Sequence, residues 1–226
     1  MRKIAFFFLM ALFTAMQVEA QEFRLGLTAS PVISWFNTNG NDVDSDGPRL
    51  GFQYGLMVEP TLGGNERYAL STGLMINMVG GFLTAGDDSL VYNSTLRVQY
   101  VELPLAAKLR SNEINYVSYY GLFGITPGVN IKARYDLKDG NGDFIEDMNG
   151  DPIEDVNLRG DDLADKYNLF NLSLTLGAGA EYSITETTTI TAGLTFQNGF
   201  VNVYKSSLTD EAIQMKQFVF RLGVMF

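Results

Sequence analysis

Residues 116–135, YVSYYGLFGITPGVNIKARY, decide how this chain is read. Val117, Tyr119, Phe123, Ile125, Val129, Ile131 and Tyr135 fall on one phase of a two-residue period, and Ser118, Gly124, Thr126, Asn130, Lys132 and Arg134 on the other. Successive side chains of a strand point to opposite faces, so this pattern predicts one strand with an apolar and a polar face. From Phe23 onward no 3.6-residue period is sustained.

Seven further segments alternate in the same way: 23–36, 49–62, 68–82, 95–110, 168–184, 187–201 and 215–226. In the first, Phe23, Leu25, Leu27, Ala29, Pro31, Ile33 and Trp35 oppose Arg24, Gly26, Thr28, Ser30, Val32 and Ser34. Of roughly 60 apolar-phase positions none is charged, where the chain average of 19% would place about 11. The polar phase holds Arg24, Arg49, Glu59, Arg97, Glu102, Lys108, Glu181 and Arg221. A soluble sandwich also alternates, but it turns its apolar face inward and its charges to water. Eight strands that close on themselves enclose an interior narrow enough for side chains to fill. The pattern therefore predicts an all-β fold, an eight-stranded antiparallel up-and-down transmembrane β-barrel with a filled polar interior and an outside that meets lipid. Inside it, Arg24, Arg97 and Arg221 are expected to pair with Glu59, Glu102 and Glu181. The bulk of Arg24, Gln53, Arg97, Gln99, Tyr120, Leu122, Gln197 and Arg221 is expected to close it.

The connections alternate long and short, at 37–48, 63–67, 81–94, 111–115, 136–167, 184–187 and 202–214. Outer-membrane barrels have short periplasmic turns and longer external loops, which places the N- and C-termini in the periplasm. Interfacial aromatics are expected at Trp35, Tyr135 and Phe200 on the outer side and at Tyr68, Tyr182 and Phe226 on the inner side. Phe218, Phe220, Leu222, Val224 and Phe226 share the apolar phase of the last strand. This resembles the terminal-strand signal by which bacterial barrels are recognised for insertion, so Phe218, Phe220 and Phe226 are expected to be read by the insertion machinery.

At the other end, Arg2 and Lys3 precede an uncharged apolar run from Ile4 to Met16, and Val18-Glu19-Ala20 follows with small residues. That order is expected of a signal peptide over 1–20, which leaves a barrel domain at 21–226. The run is too short to span a bilayer as a helix. Mean hydropathy is near zero although 46% of residues are hydrophobic, as two opposed faces require.

The fourth strand breaks its own pattern. Leu96, Val98 and Tyr100 hold the apolar phase, and then Val101, Leu103, Leu105 and Leu109 take it over. A β-bulge near Tyr100–Val101 is expected to reconcile the halves. The segment Gln99-Tyr100-Val101-Glu102-Leu103-Pro104-Leu105-Ala106-Ala107-Lys108 resembles the Tyr-x-Glu-hydrophobic-Pro-hydrophobic run of the PorT-like outer-membrane β-barrel family. The resemblance implies an integral outer-membrane barrel of a Gram-negative bacterium and little chemistry, because the family is functionally broad. It also implies that Glu102 is a buried interior carboxylate, pairing with Arg97 or Lys108. The eponymous member serves a protein-secretion apparatus, a role that no residue here singles out.

The chain has neither Cys nor His, which excludes disulfides, thiolate or imidazole metal sites and Cys–His or Ser–His catalysis. A formal charge of −10 argues against a nucleic-acid partner. With no catalytic motif either, an enzyme is not expected. One constellation stands out. Asp139-Gly-Asn-Gly-Asp-Phe-Ile-Glu is followed by Asp147-Met-Asn-Gly-Asp-Pro-Ile-Glu and then Asp155, an eight-residue tandem repeat. It lies in a long acidic loop at 136–167 that is expected to be extracellular; residues 136–166 hold eleven acids and three bases, net −8. Oxygen ligands at alternate positions with a turn glycine are what Ca²⁺ loops use. Asp139, Asn141, Asp143, Asp147, Asn149, Asp151 and Asp155 are the candidate ligands. The other reading, which we favour, is a solvated acidic loop whose Asn-Gly-Asp units are turns.

The sequence thus points to a non-enzymatic outer-membrane barrel with a structural or surface-interaction role through its external loops. Its partners are outer-membrane lipid and surface or secretion-complex proteins. The alternatives are a narrow transport channel or accessory barrel of a secretion complex, and a soluble periplasmic barrel binding an apolar ligand.

Overall fold

The computed structural model describes residues 23–38, 43–87, 90–157, 168–203 and 213–226. The export segment expected at 1–20, and loop residues 158–167, lie outside that set. The strands are β1 (Phe23–Thr38), β2 (Val43–Leu62), β3 (Asn65–Asp87), β4 (Leu90–Glu102), β5 (Leu105–Arg110), β6 (Val117–Asp139), β7 (Val156–Asn157), β8 (Phe170–Ser183), β9 (Thr189–Asn202) and β10 (Ile213–Met225). All pairings are antiparallel. β4 and β5 both lie between β3 and β6 and form one stave, interrupted at Leu103–Pro104 where the proline has no N–H to give the ladder. The stave stays in place because Leu103 N–H donates to the Pro127 carbonyl at 2.9 Å. With β7 only a two-residue addition beside β6, the ring has eight staves. It closes where β1 pairs β10, a seam sealed by mutual backbone bonds of Leu25 and Phe226.

The end that carries Phe23 and Phe226 is called the near end. There Leu62 and Asn65 pair across Gly63-Gly64, both at positive φ, as a two-residue hairpin of matching twist requires. At the far end the strands outrun the lengths expected from sequence. β2 starts at Val43, and β3 and β4 pair as far as Asp87 and Leu90, so most of the loops expected at 37–48 and 81–94 are paired strand. Beyond the bilayer a hairpin needs no apolar outer face, so its composition carries no strand signal.

On β1 the even-numbered residues from Arg24 to Phe36 face inward and the odd ones from Phe23 to Trp35 outward, as expected. Leu27, Leu56, Leu74, Phe123, Leu194 and Phe220 are among the large apolar side chains left on the outside. The fourth stave departs from expectation. Leu96, Val98, Tyr100, Glu102, Ala106 and Lys108 are all buried on the inner face, so the chain keeps one phase throughout and no bulge interrupts β4. The sequence pattern inverts there because the environment does. Below this level the outside is lipid and the inside polar. Above it the outside is water and the inside is an apolar core.

That core caps the far end. Val32 and Phe36 of β1 pack with Val79 and Leu83 of β3, with Leu96, Val98 and Tyr100 of β4, and with Ile213, Met215 and Val219 of β10. The interior is therefore polar only below the cap, a correction to the uniformly polar filling expected. The bulge lies in β6 instead. Gln99 pairs with Lys132 and Tyr100 with Asn130, which leaves Ile131 unpaired and shifts the face of everything after it. Ala133 is consequently buried and Tyr135 packs against the cap, so Tyr135 is not an interfacial aromatic on the lipid side. Lys132 turns outward, and Gln99 and Arg97 belong to the outer face too. Arg97 and Gln99 therefore take no part in filling the lumen. Trp35 does face out, and its ring centroid lies 5.6 Å from Phe218 and 6.5 Å from Phe196.

Candidate functional site

Polar chemistry concentrates in three places: the lower lumen, the far-end loop and one stretch of outer wall. In the lower lumen Arg24 and Glu59 are register partners on β1 and β2, and β5 and β8 bring Lys108, Arg110 and Glu181 to the same level. Lys108 Nζ donates to Glu59 Oε1 at 2.7 Å and Oε2 at 3.0 Å, and also to Glu181 Oε1. Arg110 donates from Nη2 to Glu59 Oε2 and from Nε to Glu181 Oε2, the latter at 3.0 Å. Arg24 Nη1 adds a second contact to Glu181 Oε2 at 3.0 Å. Lys108 and Arg110 thus hold opposite oxygens of Glu181 and share Glu59, where Lys108 spans both oxygens and Arg110 adds to Oε2. Lys108 and Glu59 are each only 1% exposed, so neither is solvated by water and each depends on the other.

Tyr120 covers this cluster, its ring centroid 4.4 Å from Lys108 Nζ. The phenol fits because Gly179 and Gly193 carry no Cβ; one added at either position would lie 2.5 Å from Tyr120 Oη. Arg110 was not expected in the network. Its signal was available: it lies two residues beyond Lys108 and so on the same face. Arg221 reaches Ser71 Oγ at 3.4 Å and forms no ion pair within 4 Å among the described residues.

Glu102 sits one layer higher, 2% exposed, and takes hydrogen bonds from Gln53 Nε2 at 3.0 Å and Asn77 Nδ2 at 2.8 Å. The Asn77 amide continues to Gln217 at 3.1 Å, and Gln217 to Gln197, which carries an amide relay across the lumen. Neither Arg97 nor Lys108 reaches Glu102. Residues 97 and 102 are an odd number apart on an unbulged strand and must face opposite ways, and Lys108 is held by Glu59 and Glu181 lower down.

The far-end loop turns its repeat into geometry. In each unit the leading Asp closes a turn. Asp139 Oδ1 accepts the N–H groups of Asn141 at 2.9 Å and Asp143 at 3.0 Å, and Asp147 Oδ1 those of Asn149 at 2.8 Å and Asp151 at 3.0 Å. Gly142 and Gly150 supply the positive φ. Backbone N–H groups of Asp143 and Asn141 hold the Asp139 carboxyl below its usual range, and those of Asp151 and Asn149 do the same for Asp147. The eight-residue period also brings Leu137, Ile145 and Ile153 into a closed ring of backbone bonds, 145 to 137 at 3.1 Å, 153 to 145 at 2.8 Å and 137 to 153 at 3.0 Å. Asp155, the last candidate ligand, bonds to Arg97 at 3.1 Å and to Arg134. Among the described residues no three carboxylates are grouped as a metal ion requires.

On the outer wall Arg97 also meets Asp136. This junction ties β4 and β6 to the base of the loop, since Asp155 N–H donates to Asp136 Oδ1 at 2.7 Å. Of the expected insertion residues, Phe218, Phe220 and Phe226 all lie exposed on the outer face of the closing stave.

Among solved structures, Neisserial surface protein A aligns with 89% of this chain and 95% of its own at 9% identity and a TM-score of 0.47. Ail, the attachment invasion locus protein of Yersinia pestis, solved in complex with the heparin analogue sucrose octasulfate, covers 91% and 99% at 16% identity and 0.43. OprG of Pseudomonas aeruginosa covers 91% and 97% at 9% identity and 0.43. No curated protein matches the sequence. A family model, described as the outer membrane protein beta-barrel domain, matches residues 17–223. That match spans every stave of the ring, and its lipid-facing exterior is the one the side chains describe: the chain belongs to the outer membrane protein β-barrel domain family.

Proposed function

We propose that this barrel is a closed, non-conducting component of the outer membrane that acts through its far-end loop, in a structural or surface-interaction role. The observation that carries the reading is the filling of the lumen. A salt-bridge floor, an amide relay and an apolar cap lie one above another, with Glu59, Lys108, Asn77, Gln217, Leu96 and Phe36 all at most 2% exposed. An aqueous path would have to desolvate or displace all three layers. The long loop stands at the opposite end from Phe23 and Phe226, which supports near-end termini in the periplasm and an exposed loop outside. The exposed Phe218, Phe220 and Phe226 suit a strand read by the insertion machinery. The run from Gln99 to Lys108 supports PorT-like membership, because it carries the stave from cap to floor across the Pro104 break. Purified protein in planar bilayers should give no discrete openings; stepwise conductance would overturn the closed reading.

For the loop, the turn reading is supported over the Ca²⁺ one because Asp139 and Asp147 already bind their own backbone amides. Calorimetric titration to millimolar Ca²⁺ should show no saturable heat, and a saturable heat lost in an Asp139→Asn, Asp147→Asn variant would reverse that preference.

A further inference from the structure

Just above the apolar belt, the outer wall between β2 and β6 holds a pocket of about 230 Å³. Arg97, Lys132 and Arg134 line it from β4 and β6. Arg49 joins them from β2, its guanidinium passing over β3 where Gly80, the register partner of Arg97, has no side chain; an added Cβ would lie 3.3 Å from Arg49 Nη1. Among the described residues, four cations here face two carboxylates, Asp136 and Asp155, a local excess of +2 on a chain of net −10. Among the described residues no further carboxylate quenches the excess. Lys132 forms no ion pair within 4 Å among the described residues, and the enclosed Nε groups of Arg97 and Arg134 find no hydrogen-bond acceptor. An enclosed donor without an acceptor is costly, and an oxyanion is all acceptor.

The height of the pocket selects the anion's carrier. From Leu109, at the near-end edge of the belt, to Gln99 is ten residue steps; at about 3.4 Å each on a strand tilted about 40° they rise about 26 Å, the height of an outer-membrane apolar band. The cations therefore lie at headgroup level. Met78 lines the pocket, and Val129 and Ile131 continue the exposed apolar wall below it. We infer that this pocket seats the headgroup of a membrane lipid carrying a phosphomonoester, with its acyl chains lying down the wall over those side chains. A phosphomonoester carries about −1.5 to −2 at neutral pH and matches the excess of +2, whereas a phosphodiester with a single charge does not. The leaflet follows from the orientation proposed above; binding in micelles is independent of it, so the two can fail separately.

The test is native mass spectrometry of the barrel in a non-ionic detergent. The probes are dioleoyl phosphatidic acid, dioleoyl phosphatidylglycerol and inorganic phosphate. Phosphatidic acid should bind about tenfold more tightly than the diester lipid, and Lys132→Gln with Arg134→Gln should weaken it about tenfold or more. Lys132→Gln alone touches no ion pair and should give a several-fold loss, which keeps the test valid if the double variant folds poorly. Lys216→Gln removes a charge from the outward phase of β10, away from the pocket, and should leave affinity within about twofold. Equal binding of both lipids, indifference to the Lys132 change, or equal loss from the Lys216 change would overturn the site. Tight binding of inorganic phosphate without gain from the lipid would overturn the lipid assignment.

Discussion

Lys108→Met should destabilise the barrel by about 3 kcal/mol or more, read as a shift in urea unfolding from lipid vesicles followed by heat-modifiable gel mobility. The amine is the only partner of the Oε1 atom of Glu181 and the only cation on Oε1 of Glu59 among the described residues, while Arg110 occupies the Oε2 atoms. Methionine fills a similar volume, so the loss is one of charge: Glu181 Oε1 is left bare and Glu59 Oε1 keeps only the Ser71 hydroxyl at 3.5 Å. A shift under about 1 kcal/mol for the single change would show that the cluster is hydrated and not the dry floor described.

The second large effect tests where lipid begins and ends. Leu74 lies on the outer face of β3 near mid-belt, 52% exposed. Leu74→Arg should cost about 2–4 kcal/mol of insertion and folding free energy, because a guanidinium at that depth has only hydrocarbon around it. Gln214→Arg, on the outward phase of β10 near the far end, should cost about 0–1 kcal/mol. If the two changes cost the same, the wall does not cross a lipid boundary between them.

Much of this was legible in the sequence because a bilayer imposes one alternation on every stave. The phase of β1, the charges inside at Arg24, Glu59, Lys108 and Glu181, and the eight-stave count follow from it directly. The misreadings share a cause. For Arg97, Gln99, Lys132, Arg134 and Tyr135 the rule "apolar means outside" was carried past the level at which lipid stops. Hydrophobic period reports which face is dry, and the dry face changes from outside to inside as a strand leaves the membrane. A one-residue bulge in β6 added a second inversion that composition alone does not mark. Partner choice was legible only as parity: it puts Glu102 out of reach of Arg97, yet cannot say that Gln53 and Asn77 arrive to meet it. The outer-wall cations were invisible as a group because they come from three staves that only the closed ring brings together.

The apolar cap has a kinetic consequence. Phe36 and Met215 are register partners 179 positions apart (215 − 36), and the two ends of the chain each supply part of the cap. No local hairpin can assemble it, so its burial is completed only with the β1–β10 seam, whose pairings span nearly the whole barrel in sequence and carry a high loop-entropy cost. The seam strands bond edge to edge in the same step that removes Val32, Phe36, Ile213 and Met215 from water. Opening the seam at the far end must wet the cap. The first and last strands are thereby latched after insertion by a hydrophobic core that the membrane itself does not touch.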